Sequence, residues 1–123
     1  MTVAEAMKKM ILLSNGNRHD INHFLKVHAY VAAIGACEGL PEDTLQTLEL
    51  AAIVHDIACP LCREKYGNTN GNYQQLEGAP LTRDFFAGTD IPADQLERIV
   101  WLVSHHHTLR PIEGPDHQIL IEA

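Results

Sequence analysis

The stretch Leu50-Ala51-Ala52-Ile53-Val54-His55-Asp56-Ile57 sets one imidazole and one carboxylate side by side in an otherwise apolar or small-residue run. A run this apolar belongs in a core, and it carries two polar groups in with it. Each costs about 1–3 kcal/mol if buried without a partner, and more if charged. A hydrogen-bonded histidine and a helix-end aspartate are the bland solution. A metal ion is the sharp one, because it takes a neutral imidazole and an ionised carboxylate at once.

Outward from this stretch the chain reads as all-α. Residues 2–13 form an amphipathic helix with Val3, Ala6, Met7, Met10 and Ile11 on one stripe, closed at Gly16. A second helix runs from about Asp20, as N-cap, to Glu38, with Phe24, Val27, Val31 and Ile34 recurring at helical steps. Leu40-Pro41-Glu42-Asp43 opens a third, whose stripe passes Leu45, Leu48 and Ala52 to the His-Asp pair. Residues 59–72 read as a loop rich in Pro, Gly and Asn. A fourth helix covers about Tyr73 to Ala87, bent near Pro80. A fifth starts at Pro92 and runs through Leu96, Ile99, Val100 and Val103 to His105-His106-His107. Asp116 caps a last helix, His117–Ala123. Alternating strand runs are missing, so the expectation is one helical bundle of five to six helices spanning residues 1–123.

Composition narrows the function classes. The 123 residues carry a net charge of −7, which argues against a nucleic-acid duplex as partner, since that needs a basic face. No segment reads as the roughly 18 apolar residues of a membrane span, and the N-terminus lacks a signal-peptide pattern. The expectation is a cytoplasmic protein with reduced Cys37, Cys59 and Cys62. Cys59-Pro60-Leu61-Cys62 lacks both a βαβ setting and a second cysteine pair, so it reads as loop structure.

Eight histidines is a high count, and their grouping matters more. His23 lies near the buried stripe of the second helix. Leu96, Ile99 and Val103 define a face of the fifth helix whose continuation falls at His106 and His107. Neighbouring helical residues point about 100° apart, so His55 and Asp56 converge only at a helix end, where the carboxylate can also bridge two ions. Helical bundles build metal sites from such inward-facing side chains.

His23 followed by His55-Asp56, within Asp20-Ile21-Asn22-His23 and Leu50–Ile57, resembles the HD-domain superfamily of metal-dependent phosphohydrolases. That resemblance implies an all-α domain holding one or two divalent metals, with Mn, Fe, Co, Mg, Ni and Zn all open. It adds His105 and His106 as ligands by similarity to binuclear branches, and Glu77, before Gly78, where those branches often carry a histidine. The family's last Asp follows an apolar run like Ile119-Leu120-Ile121, so the resemblance implies a ligand beyond Ala123. The implied substrate is a small phosphorylated metabolite or nucleotide, with Lys26 and Lys65 as phosphate contacts and His107 as proton donor. A di-iron oxygenase, or a non-catalytic metal-binding or dimerising module, stays open as an alternative, as does a homo-oligomer.

Overall fold

The computed structural model describes residues 1–107 and 111–123, and among them every regular element is a helix. They are α1 (Val3–Leu13), α2 (Arg18–Cys37), α3 (Glu42–Val54), α4 (Cys59–Tyr66), α5 (Gly71–Phe86), α6 (Ala93–His105) and α7 (Pro115–Glu122). Four turn residues separate α3 from α4, so the two are nearly one interrupted rod and the bundle has six rods. The fold is the all-α bundle expected.

α3 is the axle. Leu48 and every residue from Leu50 to Val54 are fully buried, with α1, α2, α6 and α7 packed around them. Burying a side chain of this size removes apolar area worth about 1.5–3 kcal/mol. By length and composition alone Glu42–Tyr66 is apolar enough to cross a membrane, contrary to the sequence expectation, but most of that window is buried inside the protein. α7 docks on α2 and α3, which places Ile119 and Leu120 in the core.

Three boundaries differ from the sequence reading, each for a local reason. α2 starts at Arg18 because Asn17, not Asp20, caps it, accepting from the Asp20 N–H at 3.0 Å. Asp20 is left free to take both guanidinium nitrogens of Arg63. The expected loop after Cys59 is helical through Tyr66: Pro60 sits in the first turn, where a missing N–H costs nothing, and left-handed Gly67 ends the element. At the last helix Gly114 is the N-cap, and Asp116 lies inside the first turn.

Candidate metal centre

The helical ladder of α3 ends at Val54, and the chain tightens into three-residue turns. Ile57 N–H donates to Val54 at 3.0 Å and Cys59 N–H to Asp56 at 2.9 Å. This tightening swings Asp56 back beside His55, so neighbours that would diverge in mid-helix converge: His55 Nε2 lies 3.3 Å from Asp56 Oδ2. His23, from α2, brings its Nε2 to 3.1 Å from the same oxygen and 3.3 Å from His55 Nε2. On the other side, at the end of α6, His106 Nε2 stands 3.3 Å from Asp56 Oδ1.

Ligand-type atoms thus fall into two groups, His23–His55–Asp56 and Asp56–His106–His107, each mutually within 4.8 Å and both using Asp56.

The hydrogen bonds around these rings decide what the groups can hold. His55 Nδ1 meets the Ala52 carbonyl at 2.6 Å, and His106 Nδ1 meets the Val103 carbonyl at 2.6 Å. A carbonyl only accepts, so each Nδ1 carries the proton and each neutral ring turns an Nε2 electron pair toward Asp56. Lone pairs therefore face a carboxylate. His23 can bring one proton to its side of Asp56. His106 Nε2 is buried and, among the described residues, has no hydrogen-bond partner; its approach to Oδ1 lies outside hydrogen-bond geometry.

The charges around Asp56 depend strongly on one another. Burial works against charge on Asp56, yet His106 and His55 beside it outweigh that and hold the carboxyl far below the usual range. Burial pulls His55 down, and the adjacent Asp56 carboxylate pushes it up by more, leaving it raised. Both directions say that Asp56 stays ionised and favours a positive charge beside it, which a proton on His55 supplies when no other cation is bound. Imidazole and carboxylate donors of this kind suit Zn, Fe, Co, Ni or Mn.

The remaining sequence-predicted residues lie elsewhere. His105 turns away: its ring stacks on Trp101 at 4.1 Å, and its Nδ1 meets the Trp101 carbonyl at 2.7 Å. The reason is helical phase, since Val103 faces the core and residues three and four further on share its face, whereas residue 105 does not. Glu77 belongs to neither group; it accepts from Lys65 at 2.9 Å and from the Tyr66 hydroxyl at 2.7 Å. Lys65 is therefore engaged by Glu77, and Lys26 lies exposed on α2, three residues beyond His23. Cys59 and Cys62 are buried free thiols on α4, and burial pushes Cys59 up to about 12.

Gln74 was not singled out by sequence. It is buried, and its Oε1 lies 3.2 Å from His107 Nε2. A polar residue in an amphipathic helix gives no signal of such a contact.

His23 and His107 are the exposed members of the centre, and on the His23 side a narrow crevice of about 20 Å³ is lined by Met10, Ser14, Asp20 and Pro60 among others. A roomier hollow of about 380 Å³ lies between α3 and α6 at Thr47, Gln95, Arg98 and Asp116. Its Arg98 and Asp116 charges already satisfy one another.

A family model described as HD domain matches residues 20–123, which include every residue of both groups. No curated protein and no solved structure matches the chain.

Proposed function

The chain belongs to the HD-domain superfamily of metal-dependent phosphohydrolases, and from that premise we propose that it hydrolyses a phosphate ester of a nucleotide or another small metabolite. The single observation that carries the reading is Asp56. Its two oxygens face two separate histidine sets, and the rings of His55 and His106 have spent their protons on backbone carbonyls. Such a carboxylate could be shared by two cations. His23 and His55 would hold one ion with Asp56, and His106 and His107 the other.

Divalent ions held there supply Lewis acidity toward a phosphoryl oxygen and bring the pKa of water toward 7. The protein's own part is positional. The Ala52 and Val103 carbonyls fix two rings so that the neutral form of each is already the tautomer a cation takes. The apolar walls of Met10, Phe24 and Ile53 limit water around the site, which strengthens every charge interaction inside it. Exposed Lys26, one helical turn beyond His23 on α2, would meet a phosphate arriving past His23. His107, first read as a proton donor, fits better as a ligand.

The test is a screen of phosphate esters with the chelator-treated chain, supplemented in turn with Mn²⁺, Co²⁺ and Mg²⁺. Phosphate release that needs the metal and disappears in His55→Ala supports the reading. Substrate-dependent oxygen uptake by an iron-loaded form, without phosphate release, would replace it with the oxygenase.

A further inference from the structure

Gln74 sits where α5 begins to pass the end of α6, and its amide is oriented by a second contact. Nε2 donates to the Thr69 carbonyl at 2.6 Å, so the oxygen must be the atom facing His107 Nε2 at 3.2 Å. An amide oxygen only accepts. His107 therefore carries its proton on Nε2, the opposite choice from His55 and His106, whose protons sit on Nδ1.

The ring is held from another side as well. A Cβ on Gly71 would stand 3.3 Å from His107 Cβ, 3.4 Å from Cγ and 3.5 Å from Cδ2, so the bare glycine lets α5 close onto that edge. With Cδ2 against Gly71 and Nε2 against Gln74, Nδ1 is the ring nitrogen turned away from both, and it carries the free electron pair.

We infer that Gln74 is a positioning residue for the Asp56–His106–His107 half of the centre, fixing His107 in the Nε2–H tautomer so that Nδ1 is its ligand atom. The inference rests on the two-site reading above, but its first test needs no metal. Gln74 would then do from a neighbouring helix what Val103 does for His106 from the same one. Outer partners of this kind typically alter metal affinity by about 10–100-fold.

The experiment is long-range ¹H–¹⁵N correlation of the imidazoles in the ¹⁵N-labelled, metal-free chain. His107 is expected as Nε2–H, and His55 and His106 as Nδ1–H wherever their rings are neutral. Gln74→Leu, close in volume, should release His107 into a tautomer mixture, and Gln74→Glu, which keeps the acceptor, should restore Nε2–H. In Co²⁺ titrations of the same three proteins, Gln74→Leu should bind the second ion about tenfold or more weakly. Gln74→Glu should recover most of that loss.

His107 as Nδ1–H in the native chain would overturn the inference without any variant. Native second-ion affinity in Gln74→Leu, or equal loss in Leu and Glu, would overturn it too. A native chain with the expected tautomers that binds no ion would instead count against the metal reading and leave the tautomer assignment standing.

Discussion

Of the molecule's three adjacent His–Asp pairs, His19-Asp20 lies at the exposed start of α2, and the other two, His55-Asp56 and Asp116-His117, are satisfied in opposite ways. Asp116, with 8 % of its side chain exposed, accepts two bonds from Arg98, at 2.9 and 2.7 Å, and one from the His117 N–H at 2.9 Å. His117, fully buried, accepts from the Glu113 N–H at 3.0 Å through Nδ1 and donates through Nε2 to the His105 carbonyl at 3.0 Å. Every polar atom in that pair is answered by the protein, and the result is a clasp joining α7 to α6. Asp56 has only imidazoles about it, two of which already spend one ring proton on a backbone carbonyl, and His106 Nε2 is answered by nothing among the described residues. A buried carboxylate surrounded by donors is structural. A half-buried one ringed by imidazoles is suited to share a cation with them.

The largest expected effect separates the two aspartates. Asp56→Asn should weaken Mn²⁺ or Co²⁺ binding at least about a hundredfold, more than loss of an outer partner does. Asp116→Asn should leave binding at the native level. It should lower unfolding stability by about 1–2 kcal/mol, below the buried-pair range because Arg98 keeps a third of its side chain in water. Calorimetric titration and denaturant melts on the two variants check both halves. Equal metal loss in the two would erase the distinction.

A second expectation concerns what metal does to stability. A ligand at a hundred times its Kd stabilises the folded state by about 2.7 kcal/mol. Thermal melts should therefore rise with added Mn²⁺ in the native chain and in Asp116→Asn, and stay flat in Asp56→Asn.

The pH dependence sharpens the contrast further. His55 is raised when folded, so without metal its contribution is complete below its ordinary pKa of about 6.5. That contribution is lost as pH rises through the higher folded value. Asp56, depressed, contributes above its ordinary value of about 4 and loses that only in strong acid. The metal-free chain should thus lose stability as pH rises above about 6.5, and His55→Asn should flatten that limb. Metal reverses the slope, because it binds the deprotonated ring and its stabilisation grows with pH. Melts from pH 6 to 9 with and without Mn²⁺ read the crossing directly.

The smallest effect lies within the histidine run. His105→Ala forfeits stacking on Trp101, worth about 0.5–1.5 kcal/mol, and should leave metal content unchanged. His107→Ala should cost one ion per chain. The reverse pattern would restore the ligand set implied by family resemblance.

That run also shows where sequence reasoning succeeded and failed. Helical phase alone, read from Leu96, Ile99 and Val103, points to His106 and His107, and these are the residues that meet Asp56. Transfer by resemblance shifts the pair by one residue, to His105 and His106, and one residue is 100° of helix. The all-α class and most helix ends were legible because periodicity and Gly or Pro stops are local signals. α4 was not, since Pro60 and Gly67 look like loop composition until one sees that they bracket a two-turn helix. His23, His55 and Asp56 were legible as polar groups on apolar stripes. Gln74 and Gly71 were not: their roles exist only where α5 crosses the end of α6, a contact that periodicity in one helix does not encode.

The central claim is that Asp56 joins two cation sites. Its most direct test counts Co²⁺ bound per chain in the native protein, His107→Ala and Asp56→Asn, each loaded at the concentration that just saturates the native chain and measured by metal analysis. Two, one and none, at concentrations that saturate the native chain, is the predicted series. Native occupancy surviving in Asp56→Asn would contradict it.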